Sequence, residues 1–154
     1  MNIRLLSALN TYYQHVTQAT RDPSKMAPTG VNFTQAPEYD LESMIWVLTY
    51  AIFLHTQEAL PTSERANYKK DVLDAYFGTA SYKRLVVLRR SMFAAGTSLD
   101  AEDVPYWLPD GNERHWFQRA MRLVSRQYQF DDDGKIQVIT FDRMEKLCDD
   151  FITD

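Results

Sequence analysis

The sequence predicts a mainly α-helical bundle, one domain wrapped around a central buried helix, with a single small β-hairpin near the C-terminus. Three observations carry this. The stretch Asp40 to Leu54 opens on Asp40 and Glu42, and then Met44, Ile45, Trp46, Val47, Leu48, Ala51, Ile52, Phe53 and Leu54 cover every side of a helix. Such a helix is expected to be surrounded by protein. On either side of it, segments with apolar residues at i, i+3, i+4 and i+7 alternate with Pro, Gly and Asp punctuation. After Gln127 the apolar period changes to two, the alternation of a strand.

The elements follow in order. Leu5, Leu9, Tyr12, Tyr13 and Val16 recur at helical spacing, so residues 3–19 form an amphipathic helix that Arg21-Asp22-Pro23 stops. Residues 21–39 carry Pro23, Pro28, Gly30 and Pro37 and read as one long irregular segment. The helical core then runs from 40 to 154. Asp40 caps the central helix or sits in its first turn, and the end lies between His55 and Leu60, before Pro61. Thr62 or Ser63 caps a third helix whose Ala66, Lys69, Val72, Leu73, Tyr76 and Phe77 share a face, with Gly78 at its C-cap. A fourth helix spans about Ser81 to Ala94, with Tyr82, Leu85, Val86, Leu88, Met92 and Phe93 inward. Val104 to Pro109 is too apolar for water and should press against the helices. Asp110 and Glu113 have capping-box spacing and open a fifth helix with Trp116, Phe117, Ala120, Met121, Val124 and Tyr128 as its buried stripe. Gln127 to Phe141 reads as the hairpin, turning at Asp131-Asp132-Asp133-Gly134, and Asp142 caps a last helix ending near Phe151.

Composition excludes several classes of function. At 154 residues and 45% hydrophobic the chain buries a sizeable core as one domain. A net charge of −4 argues against nucleic acid or an anionic membrane as the main partner, since both need a dominant basic field. The central apolar run is shorter than the roughly 20 residues of a bilayer span and opens on carboxylates. The N-terminal residues lack the apolar core of a signal peptide, and the single Cys148 fits a reducing compartment, so an intracellular location, cytoplasmic or nuclear, is expected.

Candidate chemistry is sparse. His15, His55 and His115 lie forty and sixty residues apart, without the i, i+4 partner of a metal-binding helix. No metal or cofactor is expected. Cys148 becomes a nucleophile only if a histidine comes near it in space; otherwise it is a packing residue. Asp131 to Ile136 has the glycine and apolar spacing of a calcium loop, but Gln129 and Thr140 occupy positions that require carboxylates, which favours a hairpin turn. Lys83, Arg84, Arg89 and Arg90 read as the charged outer face of a helix. The chain has no Gly-rich phosphate loop, no G-x-S-x-G elbow and no C-x-x-C pair.

One resemblance adds to this. Asp40-Leu41-Glu42-Ser43, followed by Trp46-Val47-Leu48, resembles the start of the central helix in the C-lobe of protein kinases, in the form found in the fungal-type protein kinase family. Thr29-Gly30-Val31-Asn32-Phe33 with Ala36 resembles the substrate-facing end of that family's activation segment. Leu73-Asp74-Ala75-Tyr76-Phe77-Gly78 with Ser81-Tyr82-Lys83 resembles the pattern that follows its central helix, and Ile139-Thr140-Phe141 resembles its C-terminal close. The resemblance covers about residues 29–152 and implies a truncated kinase C-lobe with an added N-terminal helix. It gives Asp40 an architectural role, holding backbone from below, with Glu42 and Trp46 as further structural anchors.

The kinase motifs that perform chemistry have no counterpart. A Gly-rich loop, a strand lysine, a catalytic-loop aspartate and a D-F-G aspartate are all missing, and Arg21-Asp22 is the nearest echo of the catalytic loop. The chain is therefore expected not to bind ATP with magnesium or to transfer phosphate. The function the resemblance implies is a non-catalytic, kinase-like interaction module that binds a protein partner or regulates a kinase or its substrate. The alternative is the C-terminal half of a split or truncated kinase completed by a second chain. A homo- or hetero-oligomer fits either. The N-terminal helix is expected to cover the face a kinase closes with its N-lobe, and the partner surface is expected near Val31, Phe33, Tyr12 and Tyr13.

Overall fold

A computed structural model of the chain describes residues 3–22, 24, 36–78, 82–93, 108, 111–128 and 136–153. The described residues are mainly helical, and no strand forms among them. Helix α1 spans Ile3–Arg21 and α2 spans Pro37–Ala59. Helix α3, Thr62–Tyr68, continues through a π turn, Lys69–Leu73, into the short α4, Asp74–Phe77. Helices α5 (Tyr82–Ser91), α6 (Asn112–Ser125) and α7 (Phe141–Thr153) complete the set.

Helix α2 is 23 residues long, which at 1.5 Å per residue is about 34 Å. It begins three residues before Asp40. Pro37 sits at the first helical position after the extended Ala36, where its missing N–H costs nothing and its fixed φ is already helical. Glu38 and Asp40 then face the unpaired amides of the first turn. At the other end Arg65 reaches back from α3, donating from Nε to the Leu60 carbonyl at 2.9 Å and from Nη2 to the Glu58 carbonyl at 2.6 Å. Two carbonyls at the exit of α2 are thereby satisfied from the next helix.

The core collects on one side of α2. Ile45, Trp46 and Phe53 are buried against Val72, Met92, Phe117, Met121 and Val124. Phe53 lies 5.4 Å from the Phe117 ring and 5.9 Å from the Phe77 ring, centre to centre. Helix α1 packs on α5, α4 also packs on α5, and α6 pairs with α7. Ile3 and Leu6 are fully buried, while Leu9, Tyr12 and Val16 are half-buried, so α1 covers the bundle chiefly with its first two turns.

The opposite side of α2 is open, which corrects the expectation of a helix buried all round. Met44 is 52% exposed, Val47 64%, and Leu48, Tyr50, Ala51 and Leu54 are exposed as well. The other helices suffice to cover one flank only.

A buried polar hub ties the chain's distant parts together. Glu42 is fully buried. Its Oε1 accepts the Ile3 backbone N–H at 2.9 Å and the Trp46 indole N–H at 2.9 Å. Its Oε2 accepts the Tyr128 hydroxyl and, at 3.4 Å, the Gln127 amide. The Arg89 guanidinium lies over the Trp46 ring, 4.6 Å from its centre, and 5.9 Å from that of Phe77. Burial lowers the Arg89 pKa to about 10, and the Glu42 charge works against that shift. The group remains a cation at neutral pH. Burial raises the Tyr128 hydroxyl, and the charge and hydrogen bond of Glu42 raise it further. Tyr128 stacks on Phe93 at 5.7 Å and carries the Arg4 guanidinium 5.7 Å above its ring. Arg89 is thus not part of a solvated outer face. Lys83, Arg84 and Arg90 are exposed as expected, but Arg89 shares its face with the buried Leu85 and Met92.

Other expectations shift for local reasons. The π turn inserts an extra residue per turn and rotates the third helix, so Ala66 and Lys69 are exposed, whereas Tyr68, Val72 and Leu73 are buried. Gly78 ends α4 in extended backbone, not in a left-handed cap. Glycine is needed there because a Cβ would lie 2.2 Å from the Asp74 carbonyl oxygen. Helix α6 starts at Asn112 behind Gly111, with no side-chain cap, and Asp110 lies outside the described residues. Helix α7 is capped by Thr140, whose hydroxyl accepts the Arg143 N–H at 3.4 Å, and Asp142 sits in the first turn. The hairpin turn, 131–134, lies outside the described residues. Its described flank contains one bridge residue, Ile136, and a bond from the Gln137 N–H to the Arg126 carbonyl at 3.3 Å. Of the apolar run 104–109 only Leu108 is described; it is fully buried, its carbonyl held by Arg114 Nε and Nη2 at 3.0 and 2.8 Å.

Candidate functional site

The open flank of α2 presents Met44, Val47, Leu48, Ala51 and Leu54, spaced by three and four residues, as an apolar stripe. The spacing puts them on one ridge about three turns long. Beside this ridge lies an apolar groove of about 400 Å³, walled by Leu48, Ala51, Ile52 and His55 of α2, Glu113 and Trp116 of α6, and Cys148 and Phe151 of α7. Trp116 forms part of the floor at 4% exposed and meets the Phe151 ring edge-on at 6.2 Å. The groove exists because α6 and α7 pack on each other and α2 touches α6, leaving a cleft between the three.

Its charges are of one sign. Helix α2 carries no Lys or Arg; of its four carboxylates Glu38 and Asp40 lie in the first turn and Glu42 in the buried hub, which leaves Glu58 toward this surface. Glu58 continues the exposed stripe beyond Leu54, Glu113 lines the groove, and Glu145 lies one turn before Cys148 on the exposed side of α7. The surface is an apolar seat with an acidic rim.

The groove brings His55 and Cys148 into one cavity, the juxtaposition that a cysteine nucleophile requires. Within the described residues neither side chain makes a hydrogen bond. Among the described residues no cluster of three His, Cys, Asp or Glu side chains is arranged to hold a metal, and no helix is long and apolar enough to cross a membrane.

The residues singled out from sequence separate into three places. Glu42 and Trp46 are in the buried hub; Asp40 is exposed in the first turn of α2. Glu42 holds distant backbone, at the Ile3 amide. Tyr12 is half-buried and Tyr13 is 51% exposed on α1, their rings 5.5 Å apart, away from the groove. Val31, Phe33 and the Thr29-Gly30 motif lie outside the described residues. Asp22 takes the Ser24 N–H and hydroxyl at 3.1 and 2.7 Å, which hold its carboxyl below the usual range; this is a turn closing α1.

Sequence reasoning missed the open flank and its groove. A signal was present, because an apolar helix with no cation along its whole length has no polar face to offer solvent, whether protein of the same chain or of another covers it. No protein-family model matches the chain, and no curated protein and no solved structure is significantly similar to it.

Proposed function

We propose that this chain is a non-catalytic protein-interaction module that receives an amphipathic helix, basic along its edges, from a protein partner. One observation carries the reading: an exposed apolar ridge on α2 runs beside an apolar groove, and the carboxylates of that surface have no basic counterpart on α2. Contiguous apolar patches of this kind are uncommon on monomers and characterise binding surfaces. An amphipathic helix supplies matching anchors at i, i+3, i+4 and i+7, and lysines flanking its apolar face would meet Glu58, Glu113 and Glu145.

The test uses a fluorescein-labelled 18-residue Leu/Lys helical peptide, a Leu/Glu peptide of identical pattern, and sedimentation velocity of the chain alone. The Lys peptide is expected to bind, the Glu peptide to bind at least tenfold more weakly, and Val47→Asp or Ala51→Glu to abolish binding with melting unchanged. Equal binding of both peptides, or indifference to Val47→Asp, would sink the proposal. So would a concentration-dependent dimer abolished by Val47→Asp, which would assign the face to a second copy.

A further inference from the structure

The pair α6–α7 has a second groove, on the side away from the apolar one. Its α6 wall carries Arg119 and Arg122 and, at the residue that caps the helix end, Arg126, a spacing of i, i+3 and i+7, and its α7 wall carries Arg143 and Lys146. Seven residues of helix put the first and last of the arginines about 10 Å apart along one face. The floor is apolar, Leu123 and Leu147, and the volume is about 220 Å³. Among the described lining residues five are cations and Asp150 is the one carboxylate, in a chain whose net charge is −4; Arg143 Nη1 also donates to the Val138 carbonyl at 3.1 Å.

That one carboxylate displays the chemistry of the groove. Asp150 spans the cleft, 3.0 Å from Arg119 Nη1 on α6 and 3.4 Å from Lys146 Nζ on its own helix. One end of the groove is thus already engaged by an acid. Toward Arg126 and Arg143 no described lining residue is a carboxylate. Four of the five cations are arginines, whose planar forks suit carboxylate pairs better than a lysine does.

We infer that this groove is a binding site for an acidic peptide segment of a protein, one large apolar side chain filling the floor between Leu123 and Leu147 and flanking carboxylates meeting the two cationic walls. The apolar floor favours a peptide over a polyphosphate or nucleic-acid strand, because neither of those carries an aliphatic group to cover it. The site is independent of the α2 seat and stands whether or not that seat binds a helix.

Fluorescence anisotropy decides it, with a labelled 12-residue Asp/Glu peptide holding one central Leu, the same peptide with Ser for Leu, and a single-stranded 12-mer oligonucleotide. The Leu peptide is expected to bind, with affinity falling at least tenfold in Arg126→Glu and again in Arg143→Glu, each with unchanged helical circular dichroism. Asp150→Asn, which removes the one carboxylate among the described lining residues, is expected to tighten binding severalfold. No binding of the Leu peptide, binding unaffected by Arg126→Glu, equal binding of the Ser peptide, or tighter binding of the oligonucleotide would each overturn the inference.

Discussion

Replacing Glu42 with glutamine keeps the side-chain volume and one acceptor oxygen while removing the charge. Two costs follow from the structure. Arg89, 7% exposed, would lose the favourable charge of Glu42. The new amide would also turn a donor toward the Gln127 side-chain amide and the Tyr128 hydroxyl, so the first must flip and the second rotate to accept in place of donating. Removing one partner of a buried pair costs about 3–5 kcal/mol. Against the roughly 5–15 kcal/mol that holds a domain together, such a loss is severe. The assay is urea unfolding followed by helical circular dichroism, on Glu42→Gln, Arg89→Met and the double variant. If the hub works as described, the double variant is less destabilised than the sum of the singles by about 2 kcal/mol or more, because removing both charges leaves neither stranded. A Glu42→Gln variant within about 0.5 kcal/mol of the parent, or a strictly additive cycle, would refute the reasoning.

Trp46→Ala empties the space under Arg89 and deletes a donor to Glu42, and is expected to cost about 3–5 kcal/mol in a guanidinium titration; a loss below about 1 kcal/mol would mean that the ring is dispensable. Tyr128→Phe should cost about 1–3 kcal/mol at pH 7, the loss of a hydrogen bond to a charged acceptor. Its pH dependence has a sign. The folded Tyr128 pKa lies above the unfolded value of 10.0, so the parent loses this contribution as pH rises past 10, by up to about 1.4 kcal/mol per pH unit. Arg89, lowered in the fold to about 10, acts oppositely above that pH, and does so in both proteins. The gap between Tyr128→Phe and parent, measured by urea unfolding at pH 8, 9.5 and 11, should therefore narrow above pH 10; a constant gap would argue against a raised Tyr128.

Periodicity made the helices legible. Helix α1 was expected over 3–19 and spans Ile3–Arg21, and the stripe of α6 is buried at Trp116, Phe117, Ala120, Met121 and Val124 as its spacing implies. Boundaries went astray where a residue had two uses. Pro37 reads as a loop residue but opens α2, because proline suits a first helical position. Two larger errors concern polarity. Arg89 was assigned to solvent by charge, although its spacing from Leu85 and Met92 marks it as inward; only its stacking over Trp46 beside Glu42 makes that burial tolerable. The α2 flank was assigned to the interior by hydropathy, yet whether enough chain exists to cover it depends on how the other helices are shared out. Tertiary arrangement decides that, and both grooves beside α7 are products of it.

The hub also bears on how the molecule comes apart. Its hydrogen bonds join residues 39, 85 and 86 positions apart, whereas the helices around it close contacts only a few residues long. Local helix can form before any of those long loops is closed, so the grip of Glu42 on Ile3 and Tyr128 is expected late in assembly, and a phi value near one at Glu42 would refute this. Interactions made after the folding barrier act on the rate of unfolding and leave the rate of folding nearly untouched. The carboxylate at the centre thus functions as a latch, lengthening the lifetime of the assembled bundle while its helices remain free to form at their own pace.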